Sequence, residues 1–166
     1  VAGKAVRIAE ALRDPGIDVE FIHRAAMLHD IGIFYADAPA IGCFGAYPYI
    51  CHGYLGRDLL SGLGLEKEAC VAERHVGAGL SVWEIEAAHL PLPVRDMIPR
   101  SIEEQIICVA DKFFSKSEGL AGAGKELDLQ AVIAKIRGYG KGPAARFESW
   151  LRRLNIASES RLPCDS

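Results

Sequence analysis

The sequence predicts an all-α, single-domain protein. Three observations lead there. Apolar residues recur at helical spacing through most of the chain. The segments that carry them open on capping residues and close on glycine or proline. No run of alternating polarity is long enough to make a convincing strand. With 166 residues, the chain has the length of one domain built on one core. That domain is expected over residues 1–156, with a frayed tail at 157–166.

The elements follow in order. Val6, Ile8, Ala9, Ala11 and Leu12 keep the spacing of a first helix, which Asp14-Pro15-Gly16 ends. Asp18 is a suitable N-cap for a second, whose apolar positions are Phe21, Ile22, Ala25, Ala26 and Leu28 and which is expected to stop near Gly32. Residues 33–51 break the pattern. Pro39, Gly42, Gly45 and Pro48 punctuate a run holding Phe34, Tyr35, Phe44, Tyr47 and Tyr49, expected as a long ordered loop of the kind that often lines a site. Helices are expected from about His52 to Leu60 and from about Glu66 to His75, the latter closed by Gly77 and Gly79. Ser81-Val82-Trp83-Glu84 has the form of a capping box and predicts a short helix. Pro91, Pro93 and Pro99 make a connector. Ser101-Ile102-Glu103-Glu104 repeats the capping pattern and opens a helix through about Phe114. The Gly/Ala-rich stretch 119–124 is expected to be mobile, and two amphipathic helices near 126–137 and 143–154 complete the domain. These lengths suit compact helix packing rather than a simple bundle.

Composition narrows the partners. Net charge is −3 and the lysines and arginines are scattered, so no basic stripe is available for long nucleic acid. A small phosphate ester stays open, because one metal site neutralises it locally. No apolar run approaches the ~20 residues of a membrane span, and nothing at the start of the chain reads as a secretory signal. The five cysteines are odd in number and include no Cys-x-x-Cys pair, which points to free thiols in a reducing cytoplasm. Cys70 and Cys108 fall in apolar helical patterns and are expected as small core residues.

A few polar residues stand oddly in apolar helices. His29-Asp30 follows Ala25-Ala26-Met27-Leu28 directly and precedes Ile31-Gly32-Ile33. A buried His and Asp need partners, since an unpaired buried charge costs roughly several kcal/mol. A divalent cation satisfies both, and imidazole with carboxylate suits zinc, iron, manganese, nickel or cobalt. Neighbouring helical residues point about 100° apart, so the doublet can straddle one metal or let the Asp bridge two. His52 opens one helix, His75 closes another, and Asp111 follows the apolar run Ile106-Ile107-Cys108-Val109-Ala110. Together they offer ligands from four helices to one pocket.

Met27-Leu28-His29-Asp30-Ile31-Gly32 resembles the HDIG signature of HD-domain proteins. His52-Gly53-Tyr54-Leu55-Gly56, Glu73-Arg74-His75-Val76-Gly77-Ala78-Gly79-Leu80 and Ala110-Asp111-Lys112 resemble the segments that follow in that family, in the same order. The resemblance covers about 1–114. It implies an all-helical HD-domain fold, a centre of one or two divalent transition metals, and hydrolysis of a small phosphorylated, commonly nucleotide, substrate. Carried over, it places His29, Asp30 and Asp111 on a first metal, and a bridging Asp30 with His52 and His75 on a second. Metal-activated water then attacks phosphorus, with Asp30 catalytic through the metals and Arg74 and Lys112 as catalytic candidates that contact the phosphate. The family pattern begins with one more histidine, about four residues ahead of a Val-Ala like Val1-Ala2. Either it precedes Val1 or the site has one ligand fewer.

Two other functions compete. Some HD-like dinuclear iron proteins oxygenate their substrates, and a fold can be kept as a non-catalytic sensor or interaction module. The Gly-Tyr-Pro extension of cyclic-dinucleotide members is not visible. Among the remaining residues, His23 and His89 have no partner pattern and read as ordinary structural histidines. Gly77 and Gly79 read as a helix stop needing positive φ. Trp83 and Trp150 read as core, and Glu103-Glu104 as first-turn capping charge. The aromatic loop is equally suited to stack a base or to pack on itself. The last two helices, with Trp150 and Leu151 beside Arg152 and Arg153, are suited to pack on the core or on the second subunit of a homodimer.

Overall fold

The computed structural model describes residues 1–114 and 126–156. The stretch expected to be mobile at 119–124 and the tail expected from 157 lie outside them. Among the described residues there are eight α-helices and one two-stranded sheet.

Helix α1 (Ala2–Leu12) buries Ala2, Ala5 and Ala9, three to four residues apart. Small side chains on that face let its backbone lie close against α2 (Val19–Leu28) and α6 (Ile102–Lys112). Asp18 caps α2 by accepting the Phe21 N–H at 2.8 Å, which stabilises a helix start by about 1 kcal/mol. The α2 segment ends at Leu28, short of the expected stop at Gly32. His29 keeps helical dihedrals, Asp30 turns at φ −97°, and a 3-10 helix runs over Ile31–Tyr35. Gly32 is required by contact rather than by helix termination. A β-carbon there would lie 2.1 Å from the His52 carbonyl oxygen and 2.3 Å from the Gly56 nitrogen.

The expected loop contains further short elements. Antiparallel strands β1 (Asp37–Ala38) and β2 (Cys43–Phe44) pair Asp37 with Phe44 and Ala38 with Cys43. Two residues cannot show alternation, so the sequence pattern missed this hairpin. Helices α3 (His52–Gly62) and α4 (Glu66–Arg74) pack together around Leu60, Ala69 and Ala72.

The capping box of α5 (Val82–Ala87) is complete. The Ser81 hydroxyl accepts the Glu84 N–H, and the Glu84 carboxylate accepts the Ser81 N–H at 2.7 Å. Trp83, expected in the core, is 75% exposed, because this six-residue helix buries only Ile85. At α6 the box is half made. Ser101 accepts the Glu104 N–H, but the Glu104 side chain accepts the Arg100 N–H and binds Arg74. Glu104 is therefore a buried ion-pair partner and not a solvated capping charge.

Helix α6 is the central element. Every residue from Glu104 to Lys112 is buried, with α1, α2, α4 and α8 (Lys141–Arg153) packed around it. This explains the unbroken apolar run before Asp111. Helix α7 (Leu129–Arg137), capped by Asp128, pairs with α8. Trp150 and Leu151 point into the main core, so that face of α8 is filled by its own chain. Cys108 is a core residue as expected, whereas Cys70 is only half-buried. Cys43, Cys51, Cys70 and Cys108 are free thiols, and no described helix is long and apolar enough to cross a membrane.

Candidate metal centre

Each expected ligand arrives by a separate local rule. His29 is the C-cap of α2, His75 is the C-cap of α4, and His52 is the first residue of α3. Asp111 stands in the last turn of α6. The three histidines share one arrangement. Their Nδ1 atoms lie 2.7, 2.6 and 2.8 Å from the carbonyl oxygens of Ala26, Tyr49 and Ala72, each three residues back. A carbonyl only accepts, so each Nδ1 carries the hydrogen, and each Nε2 presents its lone pair in the neutral ring. Backbone hydrogen bonding of this kind orients histidines that bind metals.

The Nε2 atoms converge on the carboxylates. His29 Nε2 lies 3.1 Å from Asp30 Oδ2 and 3.4 Å from Asp111 Oδ1. His52 Nε2 and His75 Nε2 each lie 3.4 Å from Asp30 Oδ1, and 3.1 Å from one another. All five expected ligands therefore meet in one cluster, with His29, His52, His75 and Asp111 buried. Asp30 divides its oxygens, Oδ2 toward His29 and Oδ1 toward the His52/His75 pair.

The electrostatics favour a cation. Burial opposes ionisation of Asp30, but the His29 and His75 rings beside it prevail and hold its carboxyl below the usual range. Burial likewise opposes ionisation of Asp111, yet the Lys112 ammonium and His29 keep it well below that range. Burial would lower His29, but Asp111 and Asp30 raise it to about 9. Burial lowers His75, so its neutral form dominates at neutral pH. Two ionised carboxylates thus face three imidazole Nε2 atoms, and a bound cation would displace the proton that the carboxylates hold on His29. The 3.1 Å approach of two Nε2 atoms, both on rings whose Nδ1 is protonated, is repulsive unless positive charge lies between them. A divalent metal fits this donor set of three nitrogens and two carboxylates.

The other candidates separate. Lys112 Nζ donates to Asp111 Oδ2 at 2.6 Å, and burial notwithstanding, Asp111 keeps the ammonium charged. Arg74 Nη1 donates to both Glu104 oxygens, at 2.8 and 3.0 Å, and its side chain does not line the cavity beside the cluster. Its neighbour His75 enters the cluster while Arg74 clamps α4 to α6. His23 and His89 are exposed and take no part. Gly77 and Gly79 have φ of 62° and 72°, as a turn after His75 requires.

The cavity, about 800 Å³, opens beside His52, His75, Asp111 and Lys112. Residues 37–41 and Tyr49 of the aromatic loop form one wall. Most of the loop's aromatics face outward instead, with Phe34 and Phe44 at 69% and 79% exposure. Sequence reasoning missed Lys135, Tyr139 and Pro143, which line the same cavity. No motif marks these residues, and their distance along the chain from the cluster hides them.

Residues 1–115 match the HD domain family. The chain belongs to that family. This HD domain is similar to an uncharacterized protein of Methanocaldococcus jannaschii, 37% identical over 139 residues that make up 82% of this chain and 70% of the relative. It is also similar to a tRNA (cytidine(56)-2'-O)-methyltransferase of Thermoplasma volcanium, 31% identical over 77% of this chain and 32% of the enzyme. The methyltransferase of that name from Picrophilus torridus is 31% identical over 67% of this chain and 28% of the enzyme. The HD domain chain thus spans about a third of those methyltransferases. No solved structure matches it.

Proposed function

We propose that this HD domain is a metal-dependent phosphohydrolase acting on a small phosphorylated substrate of nucleotide type. The observation that carries it is the convergence of His29, Asp30, His52, His75 and Asp111, with each imidazole turned by a backbone carbonyl so that Nε2 faces the carboxylates. The split of Asp30, one oxygen toward His29 and the other toward His52 and His75, supports a pair of metals bridged by this carboxylate. His29 and Asp111 would complete the first position, and His52 and His75 the second. When bound, divalent cations lower the pKa of a coordinated water and offset negative charge on phosphoryl oxygens.

The chain's own groups do the rest. Asp111 holds Lys112 at the cavity floor, and the retained ammonium is placed to attract a phosphate group. The carbonyls of Ala26, Tyr49 and Ala72 keep the imidazoles in one tautomer, which avoids reorganisation when substrate arrives. The free thiols support a reducing, cytoplasmic setting.

Similarity to part of two tRNA methyltransferases favours a second reading, in which the HD domain acts on a phosphorylated RNA end. The scattered basic residues favour the small molecule.

Elemental mass spectrometry on purified protein tests the metal centre, with manganese, zinc and iron offered in turn. About two equivalents bound, lost on Asp30→Ala, is the expected result. Retention of full metal content by Asp30→Ala, or no binding by the wild type, would overturn it. Phosphate release from nucleotides, and from a 5'-phosphorylated RNA oligonucleotide, separates the two substrates. Turnover without oxygen excludes oxygenation.

A further inference from the structure

We infer that the α7–α8 helix pair supplies a substrate-selecting wall of the site, in which Lys135 binds a second anionic group of the substrate besides the phosphoryl group that reacts. The inference rests on the phosphohydrolase reading.

The cavity is too large for a phosphate ester alone. Its volume of about 800 Å³ lies toward the upper end of sites that enclose whole small molecules. The reactive end is defined by His52, His75, Asp111 and Lys112. Tyr139 and Lys135 line the same cavity, one just past the end of α7 and the other on its last turn. A β-carbon on Gly77 would lie 4.0 Å from Tyr139 Cδ2, so this ring sits over the turn two residues beyond His75.

The wall is held in place. Half-buried between α8 and α5, the Arg146 guanidinium donates to the carbonyl oxygens of Ala78 and Gly79 at 2.7 and 2.9 Å. It also pairs with Glu84 at 3.0 Å. Arg146 therefore ties α8 to the same turn that follows His75, and α7 is paired with α8. The selecting wall and the metal ligands share one rigid connection.

Charge then identifies what the wall reads. Glu84 is engaged by Arg146 and Ser81. Lys112 is engaged by Asp111. The Lys135 side chain makes no hydrogen bond or ion pair among the described residues, and it is exposed while lining the cavity. Among the described residues it is the cavity-lining ammonium still available to a ligand. Asp37, from β1, is the acid at the rim and discourages an anion on its own side. A substrate whose reacting phosphate lies by Lys112 also faces Lys135 in the same cavity. A second phosphate or a carboxylate there gains a charge-assisted contact, while the rest of the substrate lies along Tyr139, Leu80 and Leu90.

The test uses the metal-loaded full chain with two probes, 4-nitrophenyl phosphate and ADP. Wild type is expected to turn over both. Lys135→Glu is expected to lower the ratio of kcat/KM for ADP to that for 4-nitrophenyl phosphate at least tenfold, mainly through KM. Lys135→Arg should keep the wild-type ratio. The same reversal at Lys67, an exposed lysine on α4 away from the cavity, controls for net charge and should not move it. Circular dichroism confirms that each variant folds. An unchanged ratio in Lys135→Glu, an equal fall in Lys67→Glu, or wild-type turnover confined to 4-nitrophenyl phosphate would overturn the assignment and leave the hydrolase intact. Turnover of neither probe by metal-loaded wild type would remove the hydrolase reading and this inference with it.

Discussion

Arg74 adjoins His75 in sequence, yet its geometry gives it a structural task, and replacing it with Met separates that task from a role toward substrate. One guanidinium nitrogen reaches both oxygens of Glu104 at 2.8 and 3.0 Å, and the two side chains are only 12% and 10% exposed. Two unit charges about 3 Å apart attract by roughly 5–6 kcal/mol at an effective dielectric of 20. Most of that offsets the desolvation of both groups. The measured effect of removing one partner comes from stranding the other, about 3–5 kcal/mol. Glu104 keeps the Arg100 N–H at 2.7 Å and the positive end of α6, so the lower figure applies. For a domain of this size, 3 kcal/mol lowers Tm by about 6–12 °C. Scanning calorimetry is the assay. Arg74→Met combined with Glu104→Leu should recover much of the loss, since a buried pair replaced by apolar groups is often neutral. A Tm within 2 °C of wild type by that measurement, together with a collapse of kcat/KM, would refute the clamp (roughly the scale of one weak surface contact) and return Arg74 to the substrate.

Three further outcomes follow from the packing. Gly32→Ala drives a β-carbon to 2.1 Å from a backbone oxygen of α3, so the 3-10 segment must move; a loss of about 3 kcal/mol or more in urea unfolding is expected, with weaker metal binding because Asp30 and His52 flank the contact. Glu84 has a lowered pKa: burial opposes this, but hydrogen bonds from Ser81 and the Arg146 charge outweigh it. Its contribution is therefore present above the unfolded carboxylate range, about pH 4.3, and lost as pH falls through the folded value. The stability gap between wild type and Glu84→Gln should stay constant at neutral pH and close in acid, and a gap that widens in acid would contradict the sign. Burial pushes the Cys108 thiol up to about 12. In the native state it should resist iodoacetamide while Cys43 and Cys70 react, as peptide mass mapping would show.

Much of this protein was legible before folding because its signals are local. Helical periodicity, Asp18 and Asp128 as caps, and the Ser81 box act within one turn, so tertiary context had little to change. The ligand set was legible for a related reason. His29, Asp30 and Asp111 are polar groups at the ends of apolar runs, and burial without a partner would be too costly to tolerate. Other features depended on which segments meet. Glu104 sits in a first turn like any capping acid, and only the approach of α4 to α6 makes it the counterion of Arg74. Trp83 has a core residue's composition, but a six-residue helix with one buried position turns it outward. Lys135 and Tyr139 carry no motif. They line the cavity because Arg146 fastens α8 to the turn after His75, across 68 residues of chain. Sequence alone determined the helices and singled out the polar residues that cluster, since both follow from short-range hydrogen bonding and the cost of buried charge. Tertiary structure decided which of those residues share a carboxylate oxygen and which distant helices line the cavity beside them, because those depend on how helices far apart in sequence pack.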